Sequence, residues 1–159
     1  MKAVSLAEVK KELGNQDSER LLEICMRMAK HKRENKELLT YLLFESDDEL
    51  AFLQGIKSEM DEQFSALVKE KNLYFLKKTI RKILRLANKQ IRFSGIKESE
   101  IEVRIYFCRL LKDSGIHFDK SPVLLKMYQM QLKKINLALS KLPEDLQFDY
   151  QQSVGEITL

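Results

Sequence analysis

The sequence has no tryptophan, and its 159 residues include only two cysteines, two histidines, two prolines and five glycines. So few glycines and prolines leave few turn positions for the many short strands of an all-β fold. Two histidines and two widely separated cysteines supply few side chains for metal ligation or proton transfer. The composition therefore favours an all-α protein, and we expect it to have no metal site and no cofactor.

Long apolar runs are also missing. No run approaches the length needed to cross a bilayer, and the N-terminal MKAVSLAEVKKEL lacks the apolar stretch of a secretory signal. We therefore expect a cytoplasmic protein with no integral membrane association. Cys25 and Cys108 each fall on an apolar helical face, so both are expected to be reduced thiols in the core.

Recognisable catalytic patterns are absent as well. The sequence contains no glycine-rich phosphate loop, no nucleophile elbow and no HExxH pattern around His31 or His117. We therefore expect no catalytic residues, no small-molecule substrate and no enzymatic activity. A pair of carboxylates contributed by two distant helices would leave no such pattern in the sequence.

Apolar residues spaced by threes and fours predict a bundle of four long antiparallel helices. The predicted bounds are about 47–69, 73–93, 97–113 and 122–142. Two or three short N-terminal helices, with starts near Ser5, Asp17 and Asn35, are expected to pack on this bundle. The alternative fold is a short irregular α-superhelix of stacked helix pairs.

Several helix ends have recognisable signals. Ser5 with Glu8, and Ser46 with Glu49, have the spacing of a capping box, and Asp17 can cap the second helix. Asn72 can cap the helix that begins at residue 73, and Gly95 can end it. Ser121 before Pro122 is typical of an N-cap followed by proline at the first helical position. The helix from residue 97 has apolar residues almost all round its axis, which predicts a central position.

Residues 1–150 are expected to form one all-helical domain. Pro143 is expected to end the last long helix, and the residues after it to form one further turn at most. Because the residues from Gln151 onward are mostly polar or small, we expect 151–159 to be a partly disordered tail.

The predicted helix 73–93 carries a concentrated basic face. Nine Lys or Arg residues and no Asp or Glu lie between Lys71 and Lys97, in a chain whose net charge is +4. At 100° per residue, seven of the nine share an arc of roughly 140° opposite the apolar face. We call these seven the basic stripe: Lys77, Lys78, Arg81, Lys82, Arg85, Lys89 and Arg92.

The basic stripe has two main interpretations, and an acidic protein or a membrane surface as its partner is a third. It can bind the phosphates of a nucleic acid, with Tyr74, Phe75 and Phe93 beside it to stack on bases. Alternatively, it is a solvated face, or one paired with the acidic residues that are concentrated between Glu45 and Glu62. Exposed pairs of that kind contribute only about 0–1 kcal/mol each.

The expected function is therefore binding. We expect a non-enzymatic helical interaction or scaffold protein that binds a macromolecular partner, either another protein or a second copy of itself. The alternative is a nucleic-acid-binding protein that uses the basic face of helix 73–93 on phosphates.

Overall fold

The computed structural model describes residues 2–67, 70 and 72–159. These residues form eight α-helices and one short 3₁₀ turn, and the described part of the chain contains no β-strand. The predicted all-α, bundle-like fold class is confirmed. The backbone groups into two compact units, residues 2–44 and residues 45–159. The single domain predicted for residues 1–150 stays a prediction.

The N-terminal unit contains three helices, α1 (Leu6–Gly14), α2 (Ser18–His31) and α3 (Arg33–Phe44). The predicted capping signals of α1 and α2 are confirmed. At the start of α1, the Glu8 amide donates to Ser5 Oγ at 3.3 Å and the Ser5 amide donates to Glu8 Oε2 at 2.9 Å. At the start of α2, Asp17 Oδ1 accepts from the Arg20 amide at 2.7 Å.

Few side chains of this unit are buried. Neither α1 nor α2 contains a buried residue, and Tyr41 is the buried residue of α3. The prediction that Cys25 lies in the core is wrong, because its thiol is on an exposed face of α2. Helical periodicity places Cys25 on the apolar face of α2. It does not show whether another element covers that face.

The C-terminal unit contains five helices: α4 (Glu49–Leu67), α5 (Leu73–Ser94), α6 (Lys97–Asp113), α7 (Pro122–Leu139) and α8 (Glu144–Ile157). The 3₁₀ turn, Phe118–Lys120, precedes α7. Helix α6 contacts α4, α5, α7 and α8, and eight of its 17 residues are buried. The central position predicted for this helix is therefore confirmed.

Local signals set most ends of these helices. Asn72 Oδ1 accepts from the Tyr74 amide at 2.9 Å at the start of α5, and Gly95 follows the helix in the left-handed conformation, with φ at 68°. A residue other than glycine would be strained at that angle. The predicted bounds 97–113 of α6 match the structure.

Other predicted ends are wrong. Helix α4 begins at Glu49 rather than near residue 47, and Asp48 Oδ1 accepts from the Ala51 amide at 3.0 Å, so the first turn starts three residues after Ser46. Glu49 also accepts from the hydroxyls of Ser94 and Ser99, which lie far along the chain. The predicted end of α4 at residue 69 lies outside the described residues.

At the start of α7, Ser121 occupies the N-cap position before Pro122, as predicted, but its side chain makes no capping hydrogen bond. The helix ends at Leu139, three residues before the predicted end at 142, and Pro143 then precedes α8. Proline cannot donate a backbone hydrogen bond, which suits the start of a helix as well as the end of one.

Helix α8 corrects the prediction for the last residues. The sequence predicted one turn at most after Pro143, whereas the structure forms a 14-residue helix in which Ile157 is fully buried. Residues 151–157 are therefore helical here and not the disordered tail that was predicted. The polar sequence of the segment hides this outcome, because a single apolar side chain anchors the helix end.

The bonds that hold α8 come from distant helices. The hydroxyl of Tyr128 donates to the carbonyl of Ile157, and Lys112 Nζ donates to the carbonyl of Glu156 at 2.8 Å. Arg109 pairs with the carboxylate of Glu156 at 2.7 Å. These donors satisfy carbonyl groups that have no partner at a helix C-terminus. Tertiary contacts, not local propensity, therefore determine where the chain ends its last helix.

We expect Ile157→Ala to lower the free energy of unfolding by about 2–4 kcal/mol, because it removes buried apolar volume and leaves a cavity. The matched control is Leu159→Ala, since Leu159 is 62% exposed and should change stability by less than about 0.5 kcal/mol. Urea titration of both variants measures the difference. Equal effects of the two substitutions would contradict the position of α8.

The two thiols are expected to differ in reactivity. Cys108 is fully buried, and burial raises its pKa to about 12 although the charge of Arg104 acts in the opposite direction. Because the thiolate is the reactive form, Cys108 should react with a disulfide reagent only after unfolding, whereas exposed Cys25 should react in the folded protein. Ellman titration of the wild type and of Cys25→Ser tests this, and a rapidly reacting thiol in folded Cys25→Ser would contradict it.

Candidate nucleic-acid interface

Helix α5 is divided lengthwise into an apolar face and a basic face. The apolar face lies in the interior of the C-terminal unit, and its buried residues are Leu76, Ile80, Ile83, Leu84, Ala87 and Ile91. The contacts of α5 with α4 and α6 hold this face inward. The basic stripe is therefore turned away from the core: Lys78, Arg81, Lys82, Arg85 and Arg92 are exposed, and Lys77 and Lys89 are half-buried.

Five members of the basic stripe make no ion pair with any described residue. We call them the open stripe: Lys77, Lys78, Arg81, Lys82 and Arg85. Lys89 and Arg92 differ from these five, since each has an interaction of its own. The cations that have no carboxylate partner thus lie in the N-terminal two thirds of α5.

Two acidic residues of α4 have partners outside the open stripe. Glu59 Oε2 accepts from Gln90 Nε2 at 3.2 Å, and Asp61 accepts from the Tyr106 hydroxyl at 2.7 Å. Burial, together with the hydrogen bond and charge of Asp61, raises the pKa of Tyr106 to about 12. The phenol therefore stays protonated as a donor at neutral pH. Among the described residues, the pairing alternative has no ion pair to support it at the open stripe.

The open stripe is a row of like charges held in one geometry. Lys77 and Arg81, Lys78 and Lys82, and Arg81 and Arg85 are each four residues apart on the helix. Each such pair disfavours an isolated helix by about 0.2–0.5 kcal/mol. Packing of the apolar face offsets this repulsion, so the folded unit presents a fixed positive surface to solvent.

Two aromatic side chains continue the basic face toward the start of α5. Tyr74 is 67% exposed and Phe75 is 49% exposed, and their rings meet edge to face with centroids 5.5 Å apart. Tyr74 precedes Lys78 by four residues and Arg81 by seven, so it shares their face of the helix. Phe93 is half-buried at the opposite end of α5. Of the three predicted stacking residues, Tyr74 and Phe75 are the two with exposed rings.

A second basic cluster lies at the C-terminal end of α5 and was not identified from the sequence. It surrounds a cavity of about 450 Å³ that is lined by Asn88, Ile91, Arg92, Gly95, Ile96, Lys97, Glu100, Arg104 and Lys134. The available signal was Arg104, the one charged residue in the run VRIYFC of α6. A charge at such a position is buried and must find hydrogen-bond partners.

Two further kinds of site concern the described part of the chain, a metal site and a membrane span. No group of three or more His, Cys, Asp or Glu side chains there is arranged to hold a metal ion. No helix among residues 2–67 and 72–159 is both long and apolar enough to cross a membrane.

We expect Arg81→Gln to leave the free energy of unfolding unchanged or to raise it by about 0.2–0.5 kcal/mol, because it removes a charge that is repelled by its neighbours. The matched control is Lys57→Gln, which deletes the 2.8 Å ion pair with Glu102 and should lower stability by up to about 1 kcal/mol. Urea titrations at low salt measure both. A loss of more than about 1 kcal/mol in Arg81→Gln would show that Arg81 has an internal partner.

Comparisons with protein-family models, with curated proteins and with solved structures find no match to this chain.

Proposed function

We propose that this chain is a non-enzymatic helical interaction protein that binds a macromolecular partner through the open stripe of α5, and that the partner is a nucleic acid. The observation that supports this most directly is the combination on one helix face of five cations without ion pairs and two exposed aromatic rings. Cations and aromatic rings are the two kinds of group that bind phosphates and bases.

The spacing of the cations suits a phosphate backbone. From Lys77 to Arg85 the helix rises about 12 Å, since each residue adds about 1.5 Å. Five flexible, positively charged side chains thus lie along a short segment of one helix face. A nucleic-acid strand laid along this face would present regularly spaced negative charges to them. Binding would release condensed counterions and relieve the repulsion between neighbouring cations, so both effects favour the complex.

The exposed aromatic rings favour a single strand over a duplex. Stacking of a base on an aromatic side chain contributes about 1–3 kcal/mol, and it requires a base that is not enclosed in a double helix. Tyr74 and Phe75 lie at the end of the open stripe, where a strand that follows the cations would bring its bases. We therefore propose single-stranded or unpaired nucleic acid as the ligand class.

A protein partner is the second candidate, and the N-terminal unit favours it. Most large apolar side chains of residues 2–44 are exposed, among them Leu6 at 86%, Leu22 at 63% and Phe44 at 78%. Exposed apolar side chains in such a concentration are typical of protein interaction surfaces. Protein captured by the tagged chain after nuclease treatment would support this candidate over the first.

Fluorescence anisotropy with a labelled single strand of about 20 nucleotides tests the proposal. If five phosphates are neutralised, the logarithm of affinity should fall with the logarithm of salt concentration at a slope of about −3.5. The double variant Arg81→Glu, Arg85→Glu should weaken binding by at least about tenfold and make the slope shallower. Tyr74→Ala should weaken binding by about fivefold or more while leaving the slope unchanged.

The matched control is the double variant Lys126→Glu, Lys133→Glu, which makes the same change in net charge at two exposed cations of α7. It should bind the strand much as the wild type does, because these residues are outside the open stripe. An equal loss of affinity in the two double variants would show a general charge effect and would contradict a specific interface on α5. No measurable binding at about 50 mM salt would also contradict the proposal.

A further inference from the structure

The cavity between α5, α6 and α7 has the size of a small-molecule site. Its volume is about 450 Å³, and it lies where α5 ends at Gly95 and α6 begins at Lys97. Ligand pockets usually occupy about 300–1,000 Å³. A bare inorganic ion would fill only a small part of this space, so a ligand of this cavity would carry an organic group as well.

The charges that line the cavity are unbalanced. Lys97, Arg104 and Lys134 line the cavity with one carboxylate, that of Glu100, and Arg92 also lines it but has an interaction of its own. Glu100 is already shared, since it pairs with Lys97 at 3.0 Å and with Arg104 at 2.9 Å. Burial alone would raise the pKa of Glu100, but the hydrogen bonds from Lys97 and Arg104 outweigh it and lower the pKa, so the carboxylate is ionised at neutral pH.

Lys134 has no such carboxylate. Its ammonium makes no ion pair or hydrogen bond with the residues that the structure describes. Burial lowers the pKa of Lys134, and the positive charge of Arg104 lowers it further, while Glu100 acts in the opposite direction. A half-buried cation beside a buried guanidinium would be stabilised by an anion in the cavity.

Arg104 has one donor left over. Its side chain is 7% exposed. The guanidinium has five N–H groups: Nε and one N–H of Nη2 donate to Glu100, and the two of Nη1 donate to Asn88 Oδ1 at 3.0 Å and to Gln131 Oε1 at 2.8 Å. The second N–H of Nη2 finds no acceptor among the described residues. A buried charged donor that lines a cavity is a site for an acceptor oxygen.

The remaining lining residues indicate what the ligand carries. Helix α6 begins at the cavity, and its N-cap, Ile96, makes no side-chain capping bond, so the positive end of the helix is available to an anion. Ile91 and Ile96 supply apolar surface for an organic group. Several cations around one cavity suit a doubly charged oxyanion, and the planar guanidinium matches phosphate oxygens.

We propose that this cavity binds a phosphate monoester, with its oxygens between Arg104, Lys134 and Lys97 and its organic group against Ile91 and Ile96. Such a group can come from a small free phosphate ester or from the terminal phosphate of a nucleic-acid strand. The proposal does not depend on the proposed function, because none of the five residues of the open stripe lines the cavity.

Isothermal titration calorimetry with adenosine monophosphate, and with adenosine as the matched ligand without phosphate, tests the proposal. The wild type should bind the monophosphate and show no heat with adenosine. Lys134→Gln should weaken this binding by about tenfold, which corresponds to about 1.4 kcal/mol. Lys133→Gln removes the neighbouring, exposed cation of α7 and should bind as the wild type does.

Oligonucleotides with and without a 5′-phosphate separate the two sources. They are compared in the Arg81→Glu, Arg85→Glu background, where the contribution of the open stripe is reduced. Preference for the phosphorylated strand identifies a strand end as a source, and binding of the monophosphate alone identifies a free ester. Equal binding of adenosine and its monophosphate would overturn the proposal, as would wild-type affinity in Lys134→Gln. Should Lys134→Gln fail to fold, as judged by circular dichroism, Lys97→Gln makes the same test at an exposed edge of the cavity, with the same two outcomes.

Discussion

The buried guanidinium of Arg104 is the constraint on which the C-terminal unit depends. A charge removed from water is tolerated only when its donors are satisfied. Arg104 meets this condition for four of its five N–H groups by hydrogen bonding to Asn88 of α5, Glu100 of its own helix and Gln131 of α7. Each bond has a defined direction, so the three helices are held in one register. Apolar packing around α6 supplies burial, and the Arg104 bonds specify which arrangement of the helices is formed.

The orientation of α5 follows from this arrangement. Asn88 and the buried apolar residues bring one side of α5 to the core, so the basic stripe lies on the other side. Two carboxylates of α4 have partners outside the open stripe: Glu59 accepts from Gln90 of α5, and Asp61 accepts from Tyr106. Repulsion along the open stripe is thus a property of the folded chain that an anionic partner would relieve. The same helix also borders the α5–α7 cavity, where cations again outnumber carboxylates.

Features that depend on neighbours in sequence could be predicted. The Ser5 and Glu8 capping box, the Asn72 cap and the left-handed Gly95 depend on a few adjacent residues, and each is as the sequence indicated. Features that depend on distant partners could not. Glu49 accepts from the hydroxyls of Ser94 and Ser99, some 45–50 residues away, and Tyr128, Arg109 and Lys112 bond to α8 from other helices. Its polar sequence contains no signal of those contacts.

The sequence by itself determined the all-α class, the helix bounds of α5 and α6, and the seven residues of the basic stripe, because helical periodicity sorts side chains onto faces without reference to the rest of the fold. The tertiary structure decided which helix faces are buried and which charged side chains have a partner. Cys25 is exposed, Ile157 is buried, Glu59 and Asp61 of α4 bond outside the open stripe, and a cavity forms beside Arg104. These outcomes depend on side chains from separate helices meeting in space, and the spacing of residues along one helix does not specify such meetings.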